Sequence, residues 1–480
     1  MRAPSIVLGL VGLVGACALA AGLGAAVTGC SLDGLTGKTE PPADPATDAA
    51  VVDASPAPVD GGGGDAPASA CGAVGQKCCS DGCNGAGALC ASGTCVACGG
   101  LDQPCCANDA CSTELECRSG SCKKGCVGRV AAGDAHTCAV RTDGALFCWG
   151  NNDSGQLGLG ATGAAVAKPT AVSALPDVVA VGAGDVNTCA VAKGGALHCW
   201  GNNYSGSLGL GATDSNPHPA PVAVPGMTDA VEVSLAYVHT CARKGDLGVY
   251  CWGNNGAGQV GNGLTGAPVP SPFKTSVLGT AIAAGNAHTC AVLNTGAVSC
   301  WGYNAYGQIG NGATGAPVTT PTPVAGGRAY TKVAAGSGHS CAIATNGDVY
   351  CWGENGSGQL GVGGGGSSSS PVKVTGPTAK KIAAAGSFTC YVGSDDALYC
   401  MGANDFGELG DGTTDDRKVA TKAAIPVPVV DVAAGLSHAC AIDKSGFLWC
   451  MGRNVAGQLG LGAVDASPHP TPKRVPIACP

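Results

Sequence analysis

Seven pairs of cysteines, each pair ten residues apart, recur at a nearly constant interval through the last three-quarters of this 480-residue chain. They are Cys138 and Cys148, Cys189 and Cys199, Cys241 and Cys251, Cys290 and Cys300, Cys341 and Cys351, Cys390 and Cys400, and Cys440 and Cys450. The second cysteines of successive pairs are 49 to 52 residues apart. A fixed period near fifty residues marks a repeat architecture, in which each unit buries its apolar surface only against its neighbours. Alternating apolar and polar residues around turns such as Thr142-Asp143-Gly144 and Thr345-Asn346-Gly347 signal β-hairpins. Across such a turn the ten-residue spacing sets two cysteines opposite each other. Facing residues of a non-hydrogen-bonded pair lie about 4.5 Å apart at Cα, within disulfide reach. Seven disulfides within the units are expected, each worth roughly 2–3 kcal/mol through the short loop it closes.

Composition agrees with strands. Only 12% of residues are charged and Gly numbers 81, which suits short strands joined by tight turns better than helices. Each unit reads V-A-A-G-x-x-H-T-C-A-V, a turn, A-L-x-C-W-G, x-N-x-x-G-Q-L-G-x-G and a proline-containing segment. Ala131-Ala132-Gly133 and Ala384-Ala385-Gly386 supply small side chains, as needed where strands converge on an axis. Leu157, Leu208, Val260, Ile309, Leu360, Leu409 and Leu459 occupy the G-Q-L-G position, which reads as a tight turn with positive φ and one buried aliphatic. Asn152, Asn203, Asn255, Asn304, Asn355, Asn404 and Asn454 recur in all seven units. Trp149, Trp200, Trp252, Trp301 and Trp352 suit packing between units, and Met401 and Met451 replace Trp in the last two. His136, His239, His288, His339 and His438 stand two residues before a cysteine. They share a strand face with it, which raises metal binding, but a structural role beside a disulfide is the preferred reading. Asn187 replaces this His in unit two, and unit six is one residue shorter there.

This pattern resembles the regulator-of-chromosome-condensation repeat, over residues 126–480. The resemblance implies an all-β fold, a seven-bladed β-propeller of four-stranded blades. Terminal units resemble interior ones, which fits a closed monomeric ring rather than a capped solenoid. Cys126 and Cys479 are the remaining cysteines of this region. Laid on unit two, Cys479 falls near Pro176 and Cys126 near Asp177, so a Cys126–Cys479 bridge closing the ring is expected, with Cα atoms about 4.4–6.8 Å apart.

The N-terminal quarter is different. Arg2 precedes an uncharged run ending in Val27-Thr28-Gly29-Cys30, read as a lipoprotein signal peptide over 1–29 with lipidation at Cys30. Cys17 is a second candidate, and an uncleaved anchor is the alternative. Residues 30–70, rich in Pro, Ala, Asp and Gly, read as a disordered tether. Residues 71–125 hold two six-cysteine units and read as a disulfide-rich segment too small to stand on a core, with zinc at Cys95-x-x-Cys98 the disfavoured alternative. Thirty cysteines in all indicate an oxidising compartment. The expected location is extracytoplasmic, on a bacterial envelope and in its outer membrane, held by the lipid anchor.

Net charge is −8, and no basic cluster suggests nucleic acid. No catalytic constellation or cofactor site stands out. The expectation is a non-enzymatic binding or scaffold protein whose partner is a protein or, alternatively, a glycan. Its candidate binding residues are Asp153, Tyr204, Tyr303, Glu354, Asp405 and Arg453, which vary within the W-G-x-N-x-x-G loops. Related secreted propellers include a β-lactamase inhibitory protein, so the resemblance gives protein binding a precedent. Guanine-nucleotide exchange and glycan hydrolysis are weaker readings. The units leave no room for a long insertion, and the Asp-Gly turns lack the Asp-box spacing of sialidases. Cys30→Ser is expected to move the protein out of the membrane fraction or block its processing, as read by fractionation. Retention of Cys30→Ser with release of Cys17→Ser would relocate the cleavage site.

Overall fold

The computed structural model describes residues 88–91, 94–97, 101–103, 115–118 and 121–480. The expected leader, Cys30, the tether over 30–70 and most of the segment over 71–125 lie outside the described residues. Within that segment two short hairpins are present, Ala88–Ala91 with Thr94–Ala97 and Glu116–Arg118 with Ser121–Lys123. Cys90 faces Cys95 in the first and Cys117 faces Cys122 in the second, so the last two cysteines of each six-cysteine unit occupy equivalent places.

From Val127 onward the chain forms seven four-stranded antiparallel blades, with no helix among the described residues. Blade one is Val127–Ala132, His136–Arg141, Leu146–Asn152 and Gly163–Ala171, paired in chain order. Blade seven is Val429–Ala434, His438–Asp443, Leu448–Gly452 and His469–Arg474. The outer strand of blade three continues without a break into the inner strand of blade four, as Gly266–Ala284. The first strands of all seven blades line an axial channel, which is why Ala and Gly recur there.

In every blade the two cysteines face each other across the middle hairpin and are bonded. Cys138 is joined to Cys148, Cys189 to Cys199, Cys241 to Cys251 and Cys290 to Cys300. Cys341 is joined to Cys351, Cys390 to Cys400 and Cys440 to Cys450. All seven expected pairs are therefore present. Their Cα atoms are 4.0–4.1 Å apart, somewhat closer than the separation of about 4.5 Å expected for such facing residues. The apolar cores lie between blades rather than within them. Cys138, Val140 and Leu157 of blade one pack with Val178, Ala190 and Trp200 of blade two, and the same arrangement recurs at each of the seven junctions.

A polar latch crosses most junctions at the same place. Trp200 Nε1 and Thr188 Oγ1 of blade two both donate to the Gln156 carbonyl of blade one, at 2.9 and 2.7 Å. Because the threonine proton goes to that carbonyl, His136 Nε2 must donate to Thr188 Oγ1, 2.8 Å away. All five histidines make this bond to the next blade, so their role is structural, and His438 bonds Thr137 across the ring closure. In blade six Phe388 takes the histidine's place, opposite Gly402. The unit is nevertheless not shorter there, since Ala384 pairs with Thr389 as Ala132 does with Thr137; Ala385 stands where Gly133 stands in blade one, and Gly386, with φ 43°, stands where Asp134 does.

The ring closes without strand exchange, since His469–Arg474 pairs within blade seven. Cys126 and Cys479 are bonded with Cα atoms 5.7 Å apart. Thr142 N donates to the Cys126 carbonyl as Lys193 N does to Asp177, each at 2.7 Å, so Cys126 stands where Asp177 stands in the next blade. The disulfide replaces the peptide link between neighbouring blades.

Ring closure and the buried histidines can each be tested. Non-reducing peptide mapping should recover a Cys126–Cys479 peptide, and Cys126→Ser combined with Cys479→Ser should lower the guanidinium midpoint by removing a cross-link over 353 residues. Cys126 paired within the cysteine-rich segment, with Cys479 free, would refute the closure. The second test concerns acid. Burial lowers the pKa of His136, His239 and His339 to about 3 and of His288 and His438 to about 4, with neighbouring histidine charge adding to His136, His239 and His339. Unfolded histidine titrates near 6.5, so between pH 4 and 6.5 unfolding takes up protons and stability falls as pH falls, by about 1.4 kcal/mol per pH unit for each imidazole. Asp185 and Glu408, raised by burial to about 7, and Asp134, also raised by burial, act in the opposite sense but number three against five. Denaturant titration of the oxidised protein should give a lower midpoint at pH 5 than at pH 7, and equal midpoints would contradict neutral buried imidazoles.

Candidate functional site

The antiparallel order of each blade puts the loop between strands one and two at the same end as the loop between strands three and four. In all seven blades a backbone bond ties the two loops together, as from Asn151 N to the Ala135 carbonyl and from Arg453 N to the Ser437 carbonyl. The recurring asparagine stiffens the longer loop. Asn152 Oδ1 accepts from Leu157 N and its Nδ2 donates to the Ala161 carbonyl, and the same two bonds recur at all seven positions. Gly158 is required at the end of this turn, because it has φ 72° and a Cβ there would sit 2.7 Å from Trp200 Nε1 of the next blade.

These rigid loops present all six candidate binding residues at one face. Tyr303, Glu354 and Arg453 directly precede the asparagine and stand next to the channel-side loops. Asp153, Tyr204 and Asp405 directly follow it, and all three are exposed. Tyr204 is 64% exposed. Glu354 folds its carboxylate over Gly338 of the neighbouring loop. Arg453 lies over the Phe406 ring, 4.9 Å from its centroid. Tyr303 meets Tyr306 edge to face.

The channel mouth adds residues that the sequence reading did not single out. Asp134, Asp185, Tyr237, Asn286, Ser337 and Leu436 follow the small-residue motif of successive blades and rim a cavity of about 160 Å³. The repeat masked them, because the recurring small residues before them drew attention to packing, although a varying residue after a recurring motif is itself a signal. Asp134 and Asp185 are hydrogen-bonded to each other. Burial raises both carboxyls. Asp185 goes to about 7, helped by the bond to Asp134 and by its charge. The bond to Asp185 and the Arg453 guanidinium hold Asp134 lower against burial. The Asp185 charge, some burial and the Asp134 charge raise the Tyr237 hydroxyl.

The whole end of the molecule is acidic. Its fourteen loops contain eleven Asp and Glu and one basic residue, Arg453. The four tyrosines of the chain that are exposed, Tyr204, Tyr237, Tyr303 and Tyr306, all lie on it. Among the described residues no cluster of three or more His, Cys, Asp or Glu is placed to hold a metal.

Residues 143–191, 194–243, 248–292, 295–343, 346–392 and 395–442 match the regulator of chromosome condensation (RCC1) repeat, which is more than half of the chain. The chain belongs to the RCC1-repeat family. A second family of the same description matches five stretches that overlap these, among them residues 129–156 and 429–458. Curated relatives with RCC1-like similarity include the human probable E3 ubiquitin-protein ligase HERC3, 33% identical over 136 residues, which are 28% of this chain and 13% of that protein. The Arabidopsis thaliana ultraviolet-B receptor UVR8 is 30% identical over 248 residues, 51% of this chain and 45% of the receptor. The chain thus spans less than half the length of these relatives. Among solved structures, Prp20p of Saccharomyces cerevisiae aligns with a TM-score of 0.63 at 22% identity, covering 70% of this chain and 87% of that one. Human WBSCR16 aligns with a TM-score of 0.62 at 21% identity, covering 69% and 94%. At such identities the structural likeness concerns the RCC1-type propeller fold alone.

Proposed function

We propose that this RCC1-repeat ring is a non-catalytic binding or scaffold protein that docks a protein partner on its acidic, tyrosine-bearing face. The observation that carries the reading is the excess of carboxyl residues over basic ones in these loops, eleven against one arginine with Glu408 buried and Asp411 paired to Arg417 of the adjoining strand, together with four exposed tyrosines at the same end. Tyrosine gives large contact area at low entropic cost, and a one-signed field steers a partner of opposite charge. Protein partners are named for a protein of this fold, since yeast RCC1 (Prp20) is described as bound to Kap60, and Prp20p for its binding to Gsp1p and histones. Fold likeness makes that an analogy. The apolar run after Arg2 and the small residues before Cys30 support export and a lipid anchor, which would hold the ring at an envelope surface.

The test uses the full oxidised chain as bait in an envelope extract. One face variant combines Tyr204→Ala with Tyr303→Ala, a second combines Asp153→Lys with Asp405→Lys, and Lys193→Glu is a variant at the opposite end. A partner should be captured by the parent and by Lys193→Glu, fall at least tenfold with either face variant, and elute with salt. Capture that ignores both face variants would overturn the reading. Glycan-array binding lost with the same substitutions would replace a protein partner by a glycan.

A further inference from the structure

Six of the seven junctions between blades carry a peptide link, and the seam between blades seven and one carries a disulfide in that place. It is the one junction whose covalent link can be undone without cutting the chain. The two kinds of ring disulfide are also sealed to different degrees. All fourteen cysteines of the blades are 0% exposed, within the apolar cores between blades. Cys126 is 8% exposed and Cys479 is only half-buried. Cys479 also lies in a tail outside the sheet. The last strand ends at Arg474, and two of the six residues after it are prolines, which have no N–H to give. Ile477 N reaches back to the Val475 carbonyl, Arg141 of blade one donates to the Ala478 carbonyl at 2.8 Å, and Ile477 packs partly buried at the seam. Uncovering the clasp sulfurs therefore takes fraying of a short tail, whereas uncovering a blade disulfide takes the separation of two packed blades.

We propose that Cys126–Cys479 is a redox-operated clasp, which a dithiol reductant opens while the seven blade disulfides stay closed, and that opening lets blades seven and one part at their shared seam. In the exchange a thiolate of the reductant attacks one clasp sulfur, a mixed disulfide forms, and the other clasp sulfur leaves as a thiolate and takes up a proton. The second thiolate of the reductant then attacks its partner sulfur in the mixed disulfide and releases the remaining clasp cysteine. The reductant ends as a disulfide and the clasp as a pair of thiols, in a two-electron transfer. Once open, the seam rests on hydrogen bonds and packing alone. Thr137 and Trp149 of blade one still donate to the Gln458 carbonyl, Val127 N to the Gly446 carbonyl at 2.9 Å, and Gly462 N of blade seven to the Ala167 carbonyl at 2.8 Å. These bonds keep the ring assembled and hold the two cysteines near each other, so the clasp recloses on oxidation. What is lost is the covalent limit on how far and how often the seam opens. The junction of blades one and two makes the equivalent bonds, from Val178 N to the Gly144 carbonyl and from Gly160 N to the Pro219 carbonyl, but its peptide link is indifferent to reductant.

The probe is dithiothreitol, applied to the full oxidised chain at mildly alkaline pH without denaturant. Free thiols are trapped with iodoacetamide at timed intervals and mapped as peptides. Cys126 and Cys479 should become alkylated at least tenfold faster than any of the fourteen blade cysteines. A ring with no disulfide reduced under these conditions, or with blade disulfides reduced as fast as the clasp, would overturn the proposal. Amide hydrogen exchange then reads the seam, with the clasp opened by dithiothreitol in one sample and by Cys126→Ser combined with Cys479→Ser in another. The Val127 and Gly462 amides, whose bonds cross the seam, should exchange at least tenfold faster once the clasp is open. Val178 and Gly160, at the junction of blades one and two, should hold their rates within twofold. Unchanged exchange at Val127 and Gly462 after selective reduction marks an inert cross-link and overturns the clasp. An equal rise at all four amides marks general loosening and overturns it as well. The reduced parent chain decides the matter where the serine variant fails to fold.

Discussion

The structure depends on what happens at the backbone carbonyl of one residue per blade. Gln156, Gln259, Gln308 and Gln458 each expose a carbonyl at a junction, and a tryptophan N–H and a hydroxyl from the next blade both bond to it. The hydroxyl then accepts from a histidine of the first blade, so three side chains of two blades meet at one point. All are fully buried, where a satisfied hydrogen bond contributes about 1 kcal/mol and an orphaned partner costs about 1–3 kcal/mol. A blade has little core of its own. Its apolar surface is buried only by its neighbours, and the latch sets the register in which that burial happens.

The exceptions show that the latch works as a unit. At the junction of blades six and seven the histidine is Phe388, the hydroxyl position is Ala439 and the tryptophan is Met451, all fully buried in one apolar cluster. No polar side chain of the latch remains there to lack its partner. Blade two departs differently. Asn187 replaces histidine while Thr240 still bonds the Ser207 carbonyl, so the asparagine amide is left unpartnered beneath the channel rim. The loss is compensated by repacking at one junction and not at the other, although Asn187 is as buried as the histidines it replaces.

Much of this was legible in the sequence because a propeller repeats its physics seven times. The cysteine spacing located the middle hairpin and its bridge, and the alignment of units placed Cys126 beside Cys479. Tryptophan was readable as junction packing because methionine substitutes for it. The latch was not readable, since His136 and Thr188 lie 52 residues apart and nothing in one unit says that its histidine serves the next. The residues flanking the recurring asparagine were readable as one surface set, because they vary visibly. The channel rim was missed, because residues such as Asp134 and Tyr237 follow a motif whose evident purpose is to fit strands around an axis.

That division has a physical basis. Side chains that enter a junction are constrained by packing, and the loops at one end are braced by the asparagine staple and by a bond between neighbouring loops. Among the positions left free there are one residue after each small-residue motif and one on each side of each asparagine. They emerge at one end, because antiparallel strands return both loop sets there. A partner-specific surface can be written in those positions. There the chain places tyrosines, carboxylates and a single arginine, while alanine and glycine hold the channel open below. On the proposed reading the rigidity of the latched and disulfide-bonded ring would serve binding, since a preorganised face loses little entropy when a partner docks.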